Sequence, residues 1–485
     1  MVKSGERRVR IVIVGNGVAG IEAARGLREL GCADAITVVS EESENFFART
    51  ALMWVHAGQL SHRDIEPFGR GMYEQLGLQR VRARVTALHA DRRTLVLGGD
   101  AGELPYDKLL IASGSRPRPA PFAGAELRGV GYFVTLQDLA WYEHELWGTA
   151  STPGPRHPRA HLGSSAPDSP YRERSSAAQA RARVARRVAV VGGGLIGCEA
   201  VELALARGAQ VDFWLREGRC WPMALVTAEA HFVGQRFAAH GVRMHLQRQV
   251  DRLVADGDGN VSAVESAGQR VACDAVVVAI GVVPNTSWLH GSGLRMTADG
   301  ALWVDMQLRT SIPDIFAAGD CAAATDSTME PRPEPLWYVA RAQGRVAARQ
   351  LCGHADSYRP GVPFNSAKLM DCEYTAVGEV APGLPDTQQL WFAEQGRVCS
   401  TMRVVLRGAQ VVGLSMLGRR WEQAILRDFI AAGGALAGLP EVLRAACFDT
   451  ELTPPLRLTL ADLQPLPKPS GSGEDRSALG LGAAG

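Results

Sequence analysis

Two stretches of this chain repeat one pattern of apolar and polar positions. Residues 9–15, VRIVIVG, form a short apolar run ending in glycine, as a strand buried on both faces does. Helical spacing follows in IEAARGLREL, with Gly31 as the stop, and ITVVSEE at 36–42 is a second strand. The same succession of strand, glycine turn, helix and strand begins again at Val188, in VAVVGGGLIGCEAVELALARGAQVDFWLRE. Two such βαβ units predict an α/β chain. Farther along, YTAVGEV and RVVLRGAQVVGLSML alternate with the period of strands, and WEQAILRDFIAAG returns to helical spacing. Residues 360–456 thus read as a third domain of mixed strands and helices.

Composition changes this picture only at the edges. The 485 residues suit about three domains of roughly 150 residues each. Apolar residues at 46 % and charged residues at 21 % are ordinary for a globular protein. A net charge of +1 argues against a nucleic-acid binder held by a broad basic surface. The segment 149–183, rich in Pro, Ser, Ala and Arg, reads as a flexible insertion, with a partner-binding segment as the alternative. Nine cysteines stand far apart without CxxC spacing, as reduced thiols of a cytoplasmic protein do. MVKSGERRVR leads straight into a strand, so no signal peptide is expected, and no apolar run reaches about 18 residues. The expected location is cytoplasmic, with peripheral membrane contact through 421–437 and 438–447 left open.

Chemistry enters at the glycine turns. Gly15-Asn16-Gly17-Val18-Ala19-Gly20 is a GxGxxG between strand and helix. Its first glycine makes the tight turn, its second lets the backbone approach a pyrophosphate, and its third packs helix on strand. Glu41, at the end of the second strand, is placed to hold ribose hydroxyls. The second copy is Gly192-Gly193-Gly194-Leu195-Ile196-Gly197. Setting the two units strand on strand puts Arg216 where Glu41 stands, which favours NADPH over NADH through its 2′-phosphate. Glu217 follows at once and works the other way.

Four more segments follow in order. They are Tyr106-Asp107-Lys108-Leu109-Leu110-Ile111-Ala112-Ser113-Gly114-Ser115-Arg116-Pro117, Ala279-Ile280-Gly281-Val282-Val283-Pro284-Asn285, Thr310 to Asp320 (TSIPDIFAAGD), and Pro335-Leu336-Trp337 through Gly344. With them the chain resembles the FAD-dependent pyridine nucleotide-disulfide oxidoreductases. In particular it is similar to the branch of ferredoxin and rubredoxin reductases, coenzyme A disulfide reductases and apoptosis-inducing-factor-like proteins. The resemblance implies two Rossmann-like dinucleotide-binding domains, for FAD and NAD(P), and a C-terminal α+β interface domain. Residues 8–148 and 286–358 would form the FAD domain, 184–285 the NAD(P) domain, 359–456 the interface domain and 457–485 a disordered tail.

The resemblance also implies roles. Ala112, Ser113, Gly114, Gly319, Asp320 and Trp337 would join the first turn around FAD, and Gly281 would lie beside the nicotinamide cofactor. Arg49 matches an arginine of the ferredoxin-reductase branch and is expected to contact FAD. Glu199, on the helix after the second turn, is the candidate catalytic residue. Thr50 stands where disulfide-using relatives carry cysteine, and a threonine forms neither a mixed disulfide nor a sulfenic acid. Trp54 replaces a lysine that the branch places near the flavin. Cys198 and Cys321 read as small buried residues, and Trp391 and Trp421 as core or dimer interface. No histidine pattern suggests a metal; His157 and His161 fall in the insertion. The expected function is passage of hydride from NADPH or NADH to FAD and of electrons to a ferredoxin, rubredoxin or quinone, in a homodimer without a redox-active disulfide. The alternatives are a peripheral NAD(P)H:quinone reductase and a flavin-binding subunit or redox-gated interaction module.

Overall fold

Both glycine turns end strands that lie at the centre of five-stranded parallel sheets. In the first sheet the order is Ile315–Ala317, Lys108–Ile111, Arg10–Val14, Ala35–Val39 and Leu78–Val81. In the second it is Arg243–Leu246, Gln210–Leu215, Arg187–Val191, Ala275–Val278 and Val130–Gly131. A central parallel strand has both faces covered, so Ile11 to Val14 and Val188 to Val191 are uninterrupted apolar runs, all buried. The computed structural model describes residues 8–146, 186–326, 330–394, 399–448 and 453–467. The expected insertion at 149–183, His157 and His161 included, lies outside them, as does 468–485.

The chain divides into two compact units, one of Met1–Pro119, Val134–Val184 and Gly281–Arg359, the other of Ala120–Phe133, Ala185–Ile280 and Pro360–Gly485. These bounds differ from the expected domains in three places. Ala120–Phe133 joins the second unit because Val130–Gly131 pairs with Val276 and Val277 at the sheet edge, and Phe122 and Leu127 pack into that core. Gly281–Asn285 falls in the first unit, where Val282–Pro284 runs antiparallel to Ser115–Pro117. The C-terminal sheet belongs to the same unit as the second parallel sheet.

In the first unit the helix after the turn, Val18–Glu29, packs along Trp337–Leu351. Small residues permit the approach: a Cβ on Gly344 would sit 2.5 Å from the Ala19 carbonyl oxygen, and one on Gly26 2.9 Å from the Ala348 Cβ. In the second unit six antiparallel strands follow the order Phe364–Leu369, Cys372–Gly378, Gln410–Leu417, Ser400–Arg407, Gln388–Glu394 and Gln464–Pro465. One face, with Met402, Val404, Leu414 and Met416, packs on Leu426, Leu439 and Leu443 of the two C-terminal helices. Trp391 and Trp421 are buried within the chain itself.

The expected disordered tail starts too early. Leu456 and Leu458 are buried in this core, and Gln464–Pro465 pairs with Leu390 and Trp391. The leucines alternate at the period of an extended chain, a signal that the Pro-rich composition masked. Among the described residues no helix is long and apolar enough to cross a membrane.

Candidate functional site

The two turns are built on the same plan, each within its own unit. Gly15 and Gly192 have φ of +112° and +113°, which L side chains rarely adopt. A Cβ on either would collide with a carbonyl oxygen of the neighbouring strand end, Ala112 in the first case and Ala279 in the second. Gly20 and Gly197 would collide in turn with the carbonyls of Gly15 and Gly192, so helix and strand can close only on glycine. Gly17 and Gly194 are different: a Cβ there would meet nothing within 4 Å.

That open space lies at the N-caps of Val18–Glu29 and Leu195–Ala206. Neither helix has a side-chain cap or an acidic residue in its first turn. Val18, Ala19, Leu195 and Ile196 therefore open helices whose first backbone N–H groups are left for an anion. A pyrophosphate against the backbone of Gly17 or Gly194 fits this cradle.

Around the first turn the structure gathers residues far apart in sequence. Asn285 N donates to the Gly114 carbonyl at 2.9 Å, and Ser113 Oγ to the Asn285 carbonyl at 2.8 Å, so Ala112–Gly114 is fastened to the segment after Gly281. Gly319 lies against Ala19, and its N–H donates to Gln343 Oε1 at 2.8 Å. Asp320 accepts a 2.7 Å hydrogen bond from Ser115 Oγ. Burial pushes the Asp320 carboxyl up, while the Ser115 hydrogen bond and the Arg49 charge pull it partly back. Trp337 begins the helix Trp337–Leu351, edge-on to Tyr338 at 5.6 Å. Ser115 and Gln343 are positioning residues that the sequence reading did not single out. The motif strings contain both, but nothing local shows that their side chains reach Asp320 and Gly319.

Arg49 and Glu41 are each already engaged. Arg49 donates to both Glu42 oxygens at 2.9 and 2.6 Å and to the Val134 carbonyl at 2.7 Å, with its side chain 41 % exposed. Glu42 also accepts from Leu136 N at 3.0 Å, which makes it the hub of this corner. Glu41 is exposed and pairs with Arg84 at 3.4 Å.

In the second unit Val191 faces Trp214 as Val14 faces Val39 in the first, so Arg216 and Glu41 hold equivalent places. Arg216 is 75 % exposed and donates to Glu217 Oε1 from Nε at 3.0 Å and from Nη2 at 2.6 Å. Glu199 sits half-buried on Leu195–Ala206, its carboxyl raised to about 7 by burial and then by the charge of Glu202. The Cys198 thiol meets that of Cys220, and this contact together with burial pushes it well above its ordinary value. Cys321 is buried, its thiol on the carbonyls of Ile111 and Ala318. Among the described residues no group of three or more His, Cys, Asp or Glu side chains is placed to hold a metal.

Comparison with known proteins points the same way as these two cradles. The family described as pyridine nucleotide-disulphide oxidoreductase matches residues 9–344. Rhodocoxin reductase of Rhodococcus erythropolis is 30 % identical over 454 residues, covering 91 % of this chain and 93 % of that protein. The NAD(P)H nitrite reductase of Bacillus subtilis (strain 168) is 25 % identical over 415 residues, 84 % of this chain. The match spans only 45 % of that longer protein. Among solved structures, putidaredoxin reductase in its covalent complex with putidaredoxin has a TM-score of 0.72 at 23 % identity, over 91 % of this chain and 99 % of that one.

Proposed function

The chain belongs to the pyridine nucleotide-disulphide oxidoreductase family and is an FAD-dependent NAD(P)H oxidoreductase; on that premise we propose that it prefers NADPH and reduces a small redox carrier protein without a redox-active disulfide. FAD, when bound, accepts hydride from a reduced nicotinamide nucleotide and releases single electrons. The protein binds and orients. Gly15, Gly17, Gly20 and the N–H groups of Val18 and Ala19 take the flavin nucleotide's pyrophosphate, with Glu41 at the ribose. Asp320, held by Ser115, and the Ala112–Gly114 loop, fastened through Asn285, supply fixed polar partners for the remainder. Gly192, Gly194, Gly197, Leu195 and Ile196 take the nicotinamide nucleotide in the same way.

The observation that carries this reading is the doubled cradle: two glycine turns, each closed by carbonyl contacts at its first and third glycine and open at its second. Thr50 supports the absence of disulfide chemistry, and the reductase names of the relatives support a redox carrier as acceptor. Anaerobic stopped-flow mixing of the yellow holoprotein with excess NADPH or NADH tests it. The flavin band is expected to bleach within the turnover time; flavin that stays oxidised for minutes with both nucleotides rules the reading out.

Nucleotide choice rests on Arg216, whose guanidinium suits a 2′-phosphate. Glu217 occupies it in the structure, so the phosphate has to compete. NADPH is expected to be preferred, and Arg216→Ala to erase the preference. An NADH preference above about tenfold, or roughly 1.4 kcal/mol, would overturn this assignment. A second reading, a flavin module serving a larger assembly, is favoured by the match to under half of the nitrite reductase. It predicts reduction by nucleotide without transfer to any free carrier.

A further inference from the structure

The helix Leu195–Ala206 carries two carboxyls one turn apart, Glu199 and Glu202, and among the described residues only Glu202 has a cation. Lys368, on the strand Phe364–Leu369 of the antiparallel sheet, donates to Glu202 Oε1 at 2.5 Å. The other oxygen of the same carboxylate, Oε2, is buried and has no hydrogen-bond partner among the described residues. A buried carboxylate oxygen without a donor is costly. The group one helical turn away that can supply a donor is Glu199, provided it carries its proton.

We propose that Glu199 and Glu202 share one proton, and that Lys368, seated on Glu202 Oε1, places it on Glu199. Like charges three residues apart on one helix face disfavour each other's ionised form, and more so where burial excludes water. An ammonium on Oε1 stabilises the charge on Glu202, and the proton goes to the residue with no cation. The elevation of Glu199 to about 7, from burial first and Glu202 second, agrees with this order.

Other ionisable groups near the helix do not change the balance. The strands packed against it are Arg187–Val191, Gln210–Leu215, Ala275–Val278 and Phe364–Leu369. Beside Lys368 they bring Arg187, exposed at the sheet end, and Asp212, whose oxygens are taken by Arg243 and His245. On the helix itself Cys198 stays a neutral thiol. The consequence rests on the nucleotide site proposed above. A neutral carboxyl two residues past Gly197 does not repel an anionic nucleotide, and an ionised one does.

The titration is read on the oxidised holoprotein without nucleotide, by pH-difference infrared spectroscopy of the protonated carboxyl band. A band with a midpoint near 7 is expected, absent in Glu199→Gln. Glu202→Gln removes a neighbouring negative charge and should lower the midpoint by about one pH unit or more; Lys368→Gln removes the cation and should raise it. Lys368→Arg should restore it. No titrating band near neutrality, an unmoved midpoint in Glu202→Gln, or shifts of the same sign in both variants overturns the proposal. Should Glu202→Gln not fold, Lys368→Gln and Lys368→Arg decide alone. NADPH affinity, measured in parallel, is expected to fall above the midpoint in the wild type and to stay flat in Glu199→Gln. A carboxyl band that behaves as expected with no such change in affinity leaves the shared proton standing and removes Glu199 from the nucleotide site.

Discussion

Within each turn the glycines have separable tasks, and single methyl groups distinguish them. Gly15→Ala places a Cβ against the Ala112 carbonyl at a φ of +112°. It is expected to cost the apoprotein about 1–3 kcal/mol from backbone strain before the collision is counted, read as a lower Tm, and to purify without flavin. Gly17 has φ of −82° and open space, so Gly17→Ala should leave apoprotein stability within about 0.5 kcal/mol. It should still weaken flavin binding by tenfold or more, about 1.4 kcal/mol, because the methyl stands where the pyrophosphate is expected. Equal loss of stability in both variants would refute this division. Ser115 acts through Asp320. Burial holds the folded carboxyl above its unfolded value, so ionising Asp320 costs the fold stability as pH rises through the folded pKa. The Ser115 hydrogen bond offsets that cost only once the carboxylate has formed. Ser115→Ala apoprotein should therefore lose roughly 1.5–3 kcal/mol on the alkaline side of that transition and little on the acid side, measured by urea unfolding across pH. A pH-independent loss would show that the hydrogen bond does not report on the charge.

In the second unit a fully buried ion pair ties a strand to a helix. Arg403, on Ser400–Arg407, is fully buried and meets Glu229 of the helix Thr227–Ala239 at 3.0 and 3.2 Å. The guanidinium also donates to the carbonyls of Val380 and Ala224, and Glu229 accepts from Val226 N at the helix start. Arg403→Ala should cost about 3–5 kcal/mol in chemical denaturation, because it leaves a buried carboxylate uncompensated. Arg403→Leu with Glu229→Leu should recover most of that loss; a double variant no better than the single one would show that packing, not charge, dominates. The strand itself was legible, since RVVLRGAQVVGLSML alternates as strands do. Burial of its polar face was not. Which residue covers Arg403 depends on a helix 174 positions away, and no local pattern carries that information.

Across the whole molecule the cysteines decide which electron route is open. Of the nine, Cys399 is the exposed one. Burial raises Cys273 and Cys372 to about 12, so these thiols are poor nucleophiles at neutral pH. Alkylation by iodoacetamide should label Cys399 first and leave flavin reduction by NADPH unchanged. Loss of reduction in step with one labelled cysteine would restore a thiol mechanism. The sequence alone determined the strands, the two glycine turns, the helices behind them and the missing cysteine at Thr50, because each is set by residues adjacent in the chain and by the periods of strand and helix. It misplaced the unit boundaries at Ala120–Phe133 and Gly281, and it ended the ordered chain too soon, because edge pairing and a leucine core are settled by distant partners. Tertiary structure alone decided that Ser115 holds Asp320, that Asn285 fastens Gly114, that Cys220 meets Cys198 and that Lys368 reaches Glu202. Each of these joins groups that only packing brings within hydrogen-bonding range, and hydrogen bonds and charge pairs act over a few ångströms of space whatever their separation in sequence.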